Sequence, residues 1–238
     1  MKRPAYYAPV GTLSGDLIAL LHPPYTAWHL SHVAIGAALA ARIDWQVLAA
    51  TLLAFFLGTG VAAHAIDERN GRPLRTALSD RTLTLLAVGG LLGSLVVAAI
   101  GAVRLSPWVL VWAGVGVVLA AGYGLEKPAA LHTSLGFALA WGGFPVLVGF
   151  WSQTLTMTIG AVLVAGAATL ISMVQRTLST PARYVRRDTD KAEMTLFHGE
   201  TEDRWDEEKI LATWERPLRL LGWFMVALAA GLLMTKQG

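Results

Sequence analysis

Seven times the chain runs through about 17 to 23 almost wholly apolar residues, each run long enough to cross the hydrocarbon core of a bilayer as a helix. The runs lie at about residues 26–42, 46–65, 83–103, 107–124, 132–150, 155–175 and 217–234. In lipid a backbone has no water to bond to, so an isolated apolar run must satisfy its N–H and C=O groups within itself, as a helix does. The fold class is therefore all-α: a polytopic helical membrane protein of about seven transmembrane helices. Interior small residues such as Gly89-Gly90, Gly114 and Gly116 suit close helix packing in a bilayer.

The runs divide the chain into an N-terminal segment over 1–25, a membrane core over 26–175, a polar linker over 176–216 and a final span with its tail over 217–238. Lys and Arg number 19, and with the N-terminus inside only Arg42, Arg104 and Lys236 fall on the exterior. That asymmetry sets the orientation, with the N-terminus cytoplasmic and Lys236-Gln237-Gly238 outside. It also accounts for the net charge of +3 through topology and anionic headgroups, with no call on nucleic acid.

Residues Leu17 to Leu21 are too short an apolar stretch for a cleaved signal and run into His22-Pro23-Pro24, so a short interfacial helix is expected there. The absence of cysteine excludes disulfides, thiolate catalysis and thiolate-ligated metal. Within the linker, the basic run from Arg183 to Arg187 precedes an acidic stretch, with one amphipathic helix expected near 203–213.

Polar groups gather at three cytoplasmic mouths. His29 and His32 are three apart at the start of the first run. The second run ends in His64-Ala65-Ile66-Asp67-Glu68-Arg69-Asn70-Gly71-Arg72-Pro73-Leu74, and Tyr123-Gly124-Leu125-Glu126-Lys127-Pro128 leads to His132. Ionisable groups at such depths are costly and mark candidate sites. His29, His64, Asp67, Glu126 and His132 form a nitrogen and oxygen donor set for a divalent cation, be it magnesium, manganese, iron or zinc. Plainer roles stand beside this one: an imidazole on a backbone carbonyl, Asp67 paired with Arg69 or Arg72, Glu68 solvated or paired with Arg72, Glu126 paired with Lys127. Arg69, Arg72 and Arg75 offer forks matched to phosphate oxygens and also serve the positive-inside rule.

Several of these motifs together resemble the UbiA superfamily of intramembrane prenyltransferases. Ala63 to Asp67 falls on the first part of that family's aspartate motif, Arg72-Pro73-Leu74 on the loop after it, Tyr123 to Lys127 on its Tyr-x-x-x-Lys loop, and Leu135 to Gly149 on its fifth helix. The resemblance spans about residues 25–180. It implies a helical bundle with a central cavity open to lipid, a diphosphate-bearing isoprenoid or lipid substrate, and magnesium. Asp67, Glu126 and His64 would then be catalytic, with Arg69, Arg72, Lys127, Arg176 and Tyr123 on the substrate. The chain departs from the pattern: Ala63, His64 and Gly71 stand at the other positions of the first motif, and the stretch from Met173 to Pro181 has no carboxylate where the second motif would lie.

Three readings follow: a divergent prenyl or lipid transferase, a His and carboxylate metal enzyme acting on an isoprenoid or other lipid, and a non-catalytic subunit or lipid-binding scaffold in a prokaryotic cytoplasmic membrane. All three share one topology. Reporter fusions after residue 70 and after residue 152 are expected to report cytoplasm and exterior respectively, and the same side for both would overturn it.

Overall fold

The computed structural model describes residues 3–8 and 12–236; Lys2, Gln237 and Gly238 of the charge and topology reading lie outside the described residues. Helix α1 (Leu13–Leu20) precedes α2 (Pro23–Ala38), α3 (Trp45–Arg69) and α4 (Asp80–Arg104). Next come α5 (Val109–Gly124), α6 (Ser134–Thr154) and α7 (Ile159–Arg187). A hairpin of β1 (Met194–His198) and β2 (Thr201–Trp205) then leads to α8 (Glu207–Met234). Side-chain caps set most starts: Asp44 accepts from the Gln46 and Val47 amides at α3, Ser79 caps α4, Thr158 caps α7 and Asp206 caps α8.

Five of these helices, α3, α4, α6, α7 and α8, are long and apolar enough to cross a membrane. Their outer faces leave large apolar side chains such as Leu85, Leu163 and Trp223 uncovered, an exterior suited to lipid. The first and fourth expected spans come out shorter. At 16 residues, α2 and α5 reach about 24 Å against a core of about 30 Å. Pro23 and Pro24 fix where α2 begins, and α5 ends at Gly124, just before Glu126 takes a left-handed φ of 57°.

The expected linker is more ordered than its polarity suggests. Helix α7 continues through Pro181 to Arg187 because its buried face persists at three- and four-residue spacing, through Ser172, Gln175, Ser179, Ala182 and Val185. The helix expected near 203–213 begins at Glu207 and merges with the last span through Pro217. The small antiparallel hairpin between them departs from the all-α expectation; Met194 pairs with Trp205 and His198 with Thr201, around Gly199 at φ +60°. At the base of α7 and α8, Arg186 grips the buried Glu215 with both Nε and Nη2, the latter at 2.8 Å.

The bundle closes through backbone-to-backbone contact between α2 and α6. A Cβ at Gly36 would sit 2.1 Å from the Val146 carbonyl oxygen, and one at Gly149 would sit 2.1 Å from the Val33 carbonyl oxygen. Each helix thus presents a glycine to the other's backbone, the small-residue contact that lets membrane helices approach. Gly149→Ala is expected to lower stability by about 1–3 kcal/mol or more, read as a fall in the melting temperature of the detergent-solubilised protein. Gly166→Ala, where nothing lies within 4 Å, is expected to leave it unchanged.

Candidate functional site

Consecutive helices run in opposite directions, so the start of α2, the ends of α3 and α5 and the last turns of α7 meet at one end of the bundle. They enclose a polar cavity of about 510 Å³. His29, His64, Asp67, Tyr123, Glu126, His132, Arg72 and Arg176 all line it. Arg69 and Lys127 do not; both are exposed outside it.

Glu68 organises the loop that roofs this end. It is fully buried, where solvation or a pair with Arg72 was expected. Its Oε2 accepts from the Leu74 amide at 2.8 Å, and its Oε1 accepts from the amide and hydroxyl of Thr76, each at 2.9 Å. Three donors on one buried carboxylate fold residues 70–78 back over the end of α3. Arg72 turns into this loop, donating to the Leu78 carbonyl and pairing with Asp80.

The histidines are held by backbone and by rings. His29 Nδ1 donates to the Trp141 carbonyl at 3.0 Å, His64 Nδ1 to the Gly60 carbonyl at 3.1 Å, and His32 Nδ1 to the Trp28 carbonyl at 2.9 Å. His132 stacks on Tyr123 with ring centres 4.4 Å apart. His22, the left-handed residue before α2, stacks on His64 at 4.3 Å and shares a 2.6 Å hydrogen bond with the Tyr7 hydroxyl. Burial, with His64 beside it, holds the His22 imidazole well below its usual range, so it stays neutral.

Among the described residues no three His, Asp or Glu side chains are placed to hold a metal ion, so the expected five-residue donor set is not gathered into a centre. Charge, and not donor type, sets this lining apart from a site for the magnesium that the resemblance implies: Asp67, Glu126 and Asp188 are outnumbered there by Arg72, Arg75, Arg176, Arg183 and Arg187, so the wall is net cationic. Arg183 and Arg187 belong to the site, although their basic run reads as linker. With Gln175 and Ser179 they recur every four residues along α7, and all four line the cavity. That spacing was the available signal.

A second cavity, about 540 Å³, lies between α3, α4, α5 and α6 and is lined mainly by apolar side chains such as Ala98, Val117 and Phe144. The two cavities share Thr59 and Trp141. Both residues sit where the helix widens into π-helical turns, Phe56–Ala63 in α3 and Leu139–Gly143 in α6. Such turns shift side chains off the regular helical face and recur at functional sites. Downstream, Pro145 has no N–H to return to the Trp141 carbonyl, which is the group that receives His29.

No protein-family model, curated protein or solved structure matches this chain.

Removing the loop's anchor is expected to open the roof. Glu68→Ala should cost about 2–4 kcal/mol through three lost hydrogen bonds to a buried carboxylate, and should make the Arg75–Thr76 bond cleavable by trypsin in the folded protein. A variant as protease-resistant as the parent would remove Glu68 from this role.

Proposed function

We propose that this chain is a UbiA-like integral membrane enzyme that transfers a prenyl or related lipid group from a diphosphate donor, with its polar end facing the cytoplasm. One observation carries the reading: a basic polar cavity and an apolar groove of similar size lie side by side, with Thr59 and Trp141 in the walls of both. An amphiphile with an anionic head and a long hydrocarbon tail is the ligand class that fills both. The head lies among the arginines, and the tail runs into the groove past Trp141.

In the transfer, the bond between the prenyl carbon and the diphosphate oxygen breaks and the diphosphate leaves with the electron pair. The acceptor's nucleophile bonds that carbon and passes its proton to the Asp67 carboxylate, with His64 one turn away. Guanidinium groups meet the charge on the leaving group, and the aromatic wall of Tyr123, Phe137 and Trp141 faces the electron-poor carbon. A His and carboxylate metal centre draws less support, because among the described residues no three His, Asp or Glu side chains are placed to hold a metal ion.

The test separates tail from head. Gly116 lines the groove with only the Phe144 ring nearby, at 3.7 Å and beyond. Gly116→Leu is expected to weaken binding of geranylgeranyl diphosphate by about tenfold and to leave dimethylallyl diphosphate unaffected, read by tryptophan fluorescence. Asp67→Asn is expected to abolish diphosphate release while retaining binding. Failure of the parent protein to bind geranylgeranyl diphosphate would end the reading.

A further inference from the structure

Five arginines line the polar cavity, and three of them are already engaged. Arg72 is taken up by the Leu78 carbonyl and Asp80, and Arg75 donates to the Arg187 carbonyl. Arg176 donates to the Tyr123 hydroxyl and the His132 carbonyl and lies over the Phe137 ring at 4.9 Å. Arg183 is not, and Arg187 is engaged at one nitrogen alone. Among the described residues Arg183 makes no hydrogen bond or ion pair, and Arg187 spends only Nε, on the Pro4 carbonyl at 3.1 Å. Both are half-buried and one helical turn apart. Two like charges at that spacing on one helix face repel.

Deeper on the same ridge lies Gln175, only 3% exposed, and neither its Oε1 nor its Nε2 has a partner. A buried carboxamide with both ends unpaired is costly and rare in a folded protein. Facing a cavity, it marks a place where a ligand completes the hydrogen bonding. Its donor end suits a phosphoryl or ester oxygen, and its acceptor end suits a hydroxyl. Ser179 stands between Gln175 and the arginines, so this wall of α7 offers neutral hydrogen bonders and then cations, with no carboxylate on the ridge.

We propose that the cavity binds the diphosphate of its lipid directly on Arg183 and Arg187, with Gln175 as the neutral partner and no divalent cation between protein and ligand. Four residues of α7, about 6 Å of helix rise, separate the two arginines along the helix, a spacing that lets each fork take one phosphoryl group. The inference rests on the lipid diphosphate reading above and deepens it: the charge supplied elsewhere by metal is supplied here by the chain.

The experiment uses the full chain in detergent, titrated with geranylgeranyl diphosphate and with inorganic pyrophosphate, each in excess EDTA and in excess magnesium. The expected result is equal affinity for the prenyl diphosphate in EDTA and in magnesium, with weaker binding of pyrophosphate. A tenfold or greater gain with magnesium would overturn direct binding and leave the lipid reading standing. No binding of the prenyl diphosphate under either condition would overturn both. Metal-independent binding of pyrophosphate as tight as that of the lipid would support the direct site and overturn the tail's part in it. Arg183→Gln and Arg187→Gln are each expected to weaken binding in EDTA by about tenfold or more, with Arg183→Lys and Arg187→Lys intermediate because they keep charge and lose the fork. Gln175→Glu is expected to weaken binding in EDTA and to recover part of it with magnesium. Folded glutamine variants that bind like the parent would overturn the proposal. Should they fail to fold, the comparison of EDTA with magnesium on the unaltered chain still decides it.

Discussion

A bilayer core offers a peptide backbone nothing to bond with, and the architecture of this protein follows from where it meets that constraint and where it bends it. Most of each long helix is regular and satisfied from within. Apart from Pro181 in α7 and Pro217 in α8, the departures among the described residues are two widened stretches, in α3 and α6, and these face inward where other protein groups are within reach. The Trp141 carbonyl receives the His29 imidazole and the Gly60 carbonyl receives that of His64. A pair of histidines that looks like metal chemistry in the linear sequence thus helps to hold irregular backbone inside a membrane protein. The irregularity in turn sets Thr59 and Trp141 in the walls of both the polar and the apolar cavity.

The helical membrane architecture was legible because length and apolarity act locally: a run such as 83–103 has few alternatives in lipid. The ends were harder. The last turns of α7 are amphipathic, and their basic residues resemble solvated charge unless the four-residue spacing from Gln175 to Arg187 is followed. The hairpin at Met194–Trp205 was hidden because its strands are five residues each and the second, with Glu202 and Asp203, reads as part of an acidic surface stretch.

Of the site, Asp67, His64, Glu126, His132, Tyr123 and Arg176 could be named from residue type and position, since rare polar groups at helix mouths stand out. Partnership could not be read the same way. Arg72 is consumed by its own loop, and Glu68 is buried by donors that come from Leu74 and Thr76, residues with no charge to advertise the contact. The apolar cavity has no motif at all, because alanines and glycines that line a groove look the same as those that fill a helix interface.

The position of that groove bears on how any occupant arrives. It lies among α3, α4, α5 and α6, three of which are long and apolar enough to cross a membrane, so a hydrocarbon chain reaching it from the bilayer exchanges with acyl chains and not with bulk water. Occupancy therefore follows the occupant's mole fraction in the surrounding lipid and not its molar concentration in the sample. Diluting the membrane with inert lipid or detergent empties the groove, even when the ratio of ligand to protein is held constant.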